Sequence, residues 1–447
     1  MFRGKAMTQK PRIPLLAEFR FSIFTLFATA ALTLLACSDE NLSGDDSEVS
    51  KVRMMQKASS RVDMEEAISQ VEEAIAFLDK AHPSESKSKR RVNSVSVLLS
   101  GGIKSSMMKS GEYSALGISD TLAYVFNFKD SLGYVIISND TRVKTPLLAF
   151  TEKGSLVNGQ TDNPGLIVFL ERLEGYVLES IIKSGKTDEQ KINAAGTKGH
   201  TPVGIFFPTL VGPLIPVEWG QGNPFNNNLE EGDCYGSGTA NNGRVWAGCV
   251  ATATAQIMSY WEHPTTLGSS WTYPWTTLNN YKRSSDFDPY PTDTPIQKLL
   301  KTIARYQVAD LFQQIDIKVN MLYGCHESTA YTLDAIKFLL DNGYRLYYGN
   351  VHIYGNTYWG NYDWLFVYQS LMADIPLIAR GCNVNGKCHA WIIDGLALGY
   401  TYLPSKDYYV HNNWGWDGDA NGYYLAGFFD PLNFNFQRDV KISAVYR

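Results

Sequence analysis

Residues 247–261 read Ala247-Gly248-Cys249-Val250-Ala251-Thr252-Ala253-Thr254-Ala255-Gln256-Ile257-Met258-Ser259-Tyr260-Trp261. Val250, Ile257, Met258 and Trp261 share one helical face, so the spacing predicts a mostly buried helix with Cys249 in its first turn. A helix N-terminus presents unpaired N–H groups and a partial positive charge, which favours thiolate over thiol and makes the sulfur nucleophilic near neutral pH. Taken alone, the segment is equally readable as one holding an inert, buried structural cysteine.

A nucleophilic cysteine needs an imidazole as base and then as acid. Of the seven histidines, His389 is best placed, in Cys388-His389-Ala390-Trp391-Ile392-Ile393-Asp394-Gly395, an apolar run that predicts a buried strand and a rigidly held ring. His82, His200 and His263 lie beside prolines or in loops, and His326 and His352 have no evident orienting neighbour. Further on, His411-Asn412-Asn413-Trp414-Gly415-Trp416-Asp417-Gly418 follows the strand Tyr408-Tyr409-Val410. An Asn carbonyl there can accept the second imidazole N–H while an adjacent indole excludes water, and Asn413 and Trp414 fit that pair. Strand alternation lets only one of Asn412 and Asn413 face His389, and His411 competes as the base. Upstream, Val217-Glu218-Trp219-Gly220-Gln221-Gly222-Asn223-Pro224-Phe225-Asn226 sets Gln221 between glycines. Its amide and the backbone N–H of Cys249 would form an oxyanion hole.

At 447 residues the chain is long enough for two to three domains, and 44% hydrophobic with 13% aromatic residues marks it as globular. The first 36 residues carry five Lys/Arg against Glu18, which leaves 35 bases against 44 acids beyond them. An acidic main body offers no electrostatic footprint for nucleic acid. The uncharged run Phe21–Ala36 is 16 residues long, short of the roughly 20 that span a bilayer, and reads as an export signal. It closes on Leu34-Leu35-Ala36-Cys37, which resembles a bacterial lipobox; that resemblance implies cleavage before Cys37, its lipidation and an outer-membrane or cell-surface anchor. The acidic stretch that follows is similar to tethers in exported lipoproteins of Bacteroides-like bacteria.

These signals divide the chain into a signal peptide (1–36), a flexible tether (37–56), an α+β domain (57–184), a proteolysable linker (185–202) and a larger aromatic-rich domain (203–447). An amphipathic helix is predicted over Asp63–Lys80, alternating Val95, Val97 and Leu99 predict a strand, 122–138 a hairpin turning at Lys129–Gly133, and Pro164–Ser184 a final helix before the linker. All ten tryptophans fall after the linker, which marks the C-terminal part as a separate domain.

Together, Trp219–Asn226, Gly248–Ala253 with Ala255–Met258, Val319-Asn320-Met321 with Tyr323-Gly324, His389-Ala390 with Asp394-Gly395, and Asn413–Trp416 resemble the streptopain family of cysteine proteases. Tyr124–Phe128 with Gly133–Ser138 is similar to that family's inhibitory prodomain. The resemblance implies an α+β, papain-like catalytic domain with a helical part and an antiparallel β part. It implies Cys249 as nucleophile, His389 as acid/base, Asn413 as its orienter, Trp414 as its shield and Gln221 as oxyanion donor. The expected partners are protein or peptide substrates and the chain's own prodomain as intramolecular inhibitor, with no cofactor. Two segments depart from the family: Cys388 stands where Gly is usual before the histidine, and Tyr323–Ala330 is less Gly/Ser-rich. Cys234, Cys325, Cys382 and Cys388 allow three pairings in an oxidising compartment. A three- or five-residue loop between Cys382 and Cys388 would set those two opposite each other. Asp417–Gly422 imitates the start of a calcium loop, but its twelfth position is Phe428, so a hairpin turn is expected. The rival readings are an inactive papain-like inhibitor and a Cys-His peptidoglycan amidase.

Overall fold

Thr121–Phe128 (β2) and Tyr134–Ser138 (β3) form the expected hairpin, turning through Lys129–Ser131 with Asp130 and Ser131 at positive φ. The computed structural model describes residues 61–81, 90–99, 119–191, 209–232, 234, 243–268, 271–348, 360–400, 406–429 and 440–447. All of them belong to one compact unit, Ser50–Arg447. The predicted signal, lipidation site and tether lie outside the described residues, as does most of the predicted linker.

Met64–Ala81 (α1) is the amphipathic helix read from the sequence. Val92–Leu99 (β1) pairs with β2 as a strand, but its covered face is the one opposite to that expected. Leu98 is buried while Val95 and Leu99 are exposed. The face that carries Ser96 and Leu98 is the covered one, since the Ser96 hydroxyl donates to the Leu156 carbonyl at 3.1 Å. Leu147–Thr151 (β4) follows, and then Pro164–Lys191 (α2). This helix continues past the expected end at Ser184 and into the segment read as linker, because Lys186–Lys191 contains no Gly or Pro to stop it.

The catalytic part adds Thr209–Val211 (β5), Cys249–Trp261 (α3), Pro295–Lys318 (α4) and Thr332–Asp341 (α5). After these come Arg345–Leu346 (β6), Gly360–Asn361 (β7), Trp364–Met372 (α6), Leu377–Cys382 (β8), Cys388–Tyr400 (β9), Lys406–Asn413 (β10), Gly422–Leu425 (β11) and Lys441–Tyr446 (β12). The strands make one antiparallel sheet in the order β1-β2-β3-β4-β11-β10-β9-β8-β12-β6, with β5 on β9 and β7 on β12. The sheet is therefore continuous across the two domains, because β4 pairs with β11 through Thr151–Gly422, Phe150–Tyr423 and Ala149–Tyr424.

An apolar core spans this junction. Phe150 stacks on Tyr423 at 5.2 Å between centroids, Phe77 meets both edge-on, and Phe169 packs on Tyr424 at 4.7 Å. Each such pair contributes about 0.5–1.5 kcal/mol beyond simple burial. A second core lies on the other side of the sheet, where α3 rests on β9 and against α4. The mostly buried helix predicted for α3 is enclosed all round, with every residue from Val250 to Ser259 buried. Its small Ala and Thr side chains permit that close approach, and Thr252 and Thr254 return their hydroxyls to the carbonyls of Gly248 and Val250. Among the described residues no helix is long and apolar enough to cross a membrane.

Candidate active site

Cys249 is the first residue of α3, half-buried and not in a disulfide. The preceding Gly248 has φ +89°, and a Cβ there would come within 2.8 Å of the Met321 sulfur, so only glycine delivers the cysteine in this pose. Burial pushes the Cys249 thiol above its ordinary value, against the pull of the Ala390, Cys249 and Val250 N–H groups. The thiolate-favouring helix terminus expected from the sequence is present, but burial outweighs it in this form.

His389 lies on β9, adjacent to Ala390, and is 2% exposed. Its Nε2 is 2.7 Å from the Trp414 carbonyl, which can only accept, so Nε2 carries the proton and Nδ1 is the basic nitrogen. Burial holds the imidazole down at about 4, with the Trp414 carbonyl pulling the other way. Cys249 and His389 together line two cavities, one of about 590 Å³ that also includes Gln221 and Trp416, and one of about 1010 Å³ that includes Val250 and Ala390. A helix-end thiol and a strand imidazole, 140 positions apart in the chain, thus share one cleft with space on either side for a peptide.

Of the other three expected site residues, Asn413 and Trp414 are placed differently from the expectation, and Gln221 is placed in keeping with it. Asn413 does not reach His389. Its Oδ1 accepts from Gln256 Nε2 at 3.1 Å and from the Gly415 N–H at 3.3 Å, and its Nδ2 donates to the Val217 carbonyl at 2.8 Å. The bond to the imidazole comes instead from the next residue's main chain. Trp414 is also not the shield: its fully buried indole donates to the Ala420 carbonyl, packs on Trp391 at 5.1 Å and is held among core aromatics. Trp416 takes that place, edge-on to the His389 ring at 6.5 Å and stacked on Trp246 at 5.9 Å. Gln221 lines the cleft beside Cys249, and its side-chain amide has no hydrogen-bond partner among the described residues. Its backbone carbonyl accepts from the Ala247 N–H at 3.0 Å, which ties the Gln221 segment to the start of α3.

One contributor escaped the sequence reading, and another entered it only as the alternative to Asn413. Gln256, a lone amide within the buried helix, donates to both Asn413 Oδ1 and the Trp219 carbonyl and braces three segments beneath the site; its polarity in an apolar run was the available signal. Asn412 accepts from Trp391 Nε1 at 2.8 Å and so fixes the ring that stacks under His389. His411, the competing base, is excluded by position. It is buried beside Asp394 (2.6 Å) and Glu152 (3.4 Å) and lines neither cavity.

Known proteins resemble this chain in two segments. Residues 219–424 match the Peptidase C10 family, and residues 59–177 match the Spi protease inhibitor family. Its catalytic part, residues 219–424, is a Peptidase C10 domain. Streptopain of Streptococcus pyogenes is 27% identical over 364 residues, covering 73% of this chain and 82% of that protein. The thiol protease/hemagglutinin PrtT of Porphyromonas gingivalis is 22% identical over 340 residues, covering 71% of this chain and 35% of that one. A solved fragment of prointerpain A from Prevotella intermedia is 22% identical with a TM-score of 0.45, covering 72% of this chain and 94% of the fragment. This C10 peptidase is thus a cysteine protease preceded by an inhibitor domain.

The inhibitor sits directly on the peptidase site. Asp162, Pro164 and Ile167, at and just before the start of α2, line the Gln221 side of the cleft. A methyl group on Gly165 would come within 2.1 Å of the Trp414 ring, so α2 lies flush against the residue that orients His389. Glu171 accepts from the Val384 N–H at 2.8 Å, and Asn163 Nδ2 donates to the Asp419 carbonyl at 3.0 Å. Val384 belongs to a five-residue loop between Cys382 and Cys388, which are opposite each other and bonded, as a loop of that length permits. Cys234 and Cys325 form the second bridge. Asp417 opens no calcium loop; both its oxygens accept from Ser284, at 2.7 Å each.

Proposed function

We propose that Cys249 attacks the scissile carbonyl, His389 Nδ1 takes its proton and then delivers it to the leaving amine, and water cleaves the thioester by the reverse proton route. What carries this reading is that the two side chains share both cavities while the Trp414 carbonyl keeps the basic nitrogen of His389 free of its own proton. Gln221 and the Cys249 N–H hold the oxyanion. Replacing Gln221 by Ala should lower kcat about 10²-fold with KM little changed, since the donor acts on charge that develops only in the transition state. A fall in kcat/KM carried wholly by KM would remove Gln221 from that role.

In the precursor the neutral thiol and neutral imidazole are favoured, because burial raises one and lowers the other. Cutting the linker between α2 and β5 and removing the inhibitor lets water into the cleft, which stabilises the thiolate–imidazolium pair and turns the enzyme on. The domain limits 57–184 and 203–447 serve this division, with the cut falling in the segment between them.

The enzyme is exported and anchored through lipid on Cys37, as the uncharged run ending in Leu34-Leu35-Ala36-Cys37 supports. Cells fed a radiolabelled fatty acid should label the wild-type precursor and leave the Cys37→Ser variant unlabelled and outside the membrane fraction. Equal labelling of the two would refute the anchor.

A further inference from the structure

The 1010 Å³ cavity carries a charge pattern that the cleavage chemistry does not use. Arg380 on β8 is paired with Ala390 on β9, whose N–H faces the Cys249 sulfur, and with Lys441 on β12. Strands lie about 4.8 Å apart, so the row Ala390–Arg380–Lys441 carries positive charge away from the reacting centre, beginning one strand from it. All three residues line the cavity, whose walls include Val250, Leu322 and Ala330.

Arg380 is half-buried, and its Nη2 donates to Cys388 Sγ at 2.9 Å. A disulfide sulfur is a weak, uncharged acceptor, and among the described residues no carboxylate pairs with this guanidinium. The two acids of the cavity are engaged elsewhere, Glu327 with Lys387 at 3.4 Å and Asp334 with Lys337 at 3.2 Å. Lys441 Nζ donates to Asn361 Oδ1 on β7, across β12 from β8, so Arg380 is the cation of the row left facing the cavity beside the reacting centre. A guanidinium facing a cavity with apolar walls presents a bidentate fork to a carboxylate on a short aliphatic stem.

We infer that Arg380 selects substrates with a glutamate side chain in this cavity, on the side of the scissile bond away from Gln221. The inference rests on Cys249 and His389 being the cleavage centre. Neither the inhibitor's described residues nor Gln221 line the cavity, so its occupant comes from the substrate.

The test uses the full-length precursor after processing, with fluorogenic peptides identical except for Glu, Gln or Lys at each position flanking the bond. At one position the wild type should show a kcat/KM ratio of about tenfold for Glu over Gln, falling as salt is raised. Arg380→Gln should bring that ratio near one, Arg380→Glu should invert it in favour of Lys, and Arg380→Lys should restore part of it. A Glu/Gln ratio near one at every position in the wild type, or one that persists in Arg380→Gln, overturns the role of Arg380 alone. Failure of the wild type to cleave any peptide of the set, Gln forms included, overturns the cleavage centre and the inference with it.

Discussion

Replacing Cys249 by Ala is expected to reduce casein hydrolysis by about 10⁴-fold or more and to leave the precursor at full length. The serine hydroxyls of the Gln221 side of the cleft cannot substitute for the lost sulfur. Ser284 Oγ donates to Asp417 Oδ2 at 2.7 Å, and Ser328 Oγ accepts from the Gly324 N–H at 3.1 Å. Neither has His389 as a hydrogen-bond partner, so neither can pass a proton to Nδ1. The substitution removes one atom from a half-buried site, and thermal melting should stay close to that of the wild type. Gel analysis of the precursor over time, beside release of soluble casein fragments, measures both effects. Wild-type rates in the variant would place the chemistry elsewhere.

The second large effect concerns stability. His411 is buried between Asp394 and Glu152, with Tyr423 edge-on to its ring. Burial pulls the imidazole down, but the Asp394 and Glu152 carboxylates prevail and push it up to about 10. Substitution by Ala leaves two carboxylates enclosed without their cation, which costs about 3–5 kcal/mol. For a unit of this size, the precursor should then melt about 4–6 °C lower. The pH dependence follows from the raised pKa. A folded-state value above the unfolded one, about 6.5, contributes stability that is complete below pH 6.5 and is lost as pH rises through about 10. Wild type and His411→Ala should therefore differ most near pH 6 and converge toward pH 10 when unfolding is followed by calorimetry. A gap that stays constant over that range would contradict the charged cluster.

The proposed catalytic pair was legible because each member sits on a strongly patterned element. A helix start fixes where Cys249 points, and an apolar strand fixes His389. The partner of the imidazole was read one residue early. Strand alternation tells which face a side chain takes, yet it is silent on where a main-chain carbonyl aims after the register shift between His411 and Asn412. That shift brings the Trp414 carbonyl to His389 and sends the Asn413 amide down to Gln256. The shield was misassigned for a related reason. Two indoles lie two residues apart, and only tertiary packing decides which is drawn into the core. The β2–β3 hairpin was readable from local alternation and turn chemistry. The β4–β11 pairing joins residues some 270 positions apart and leaves no periodic trace.

That pairing alters what maturation has to accomplish. Were the linker peptide cut as proposed, one covalent bond would break, but the two halves would stay stitched along β4 and β11 and through the aromatic cluster around Phe150 and Tyr423. Liberation of the enzyme is then a separate, thermodynamic event in which a seam unzips. It leaves Gly422–Leu425 as a raw border with unmet main-chain donors and acceptors, and a nicked but undissociated pair is the natural resting form between the two events.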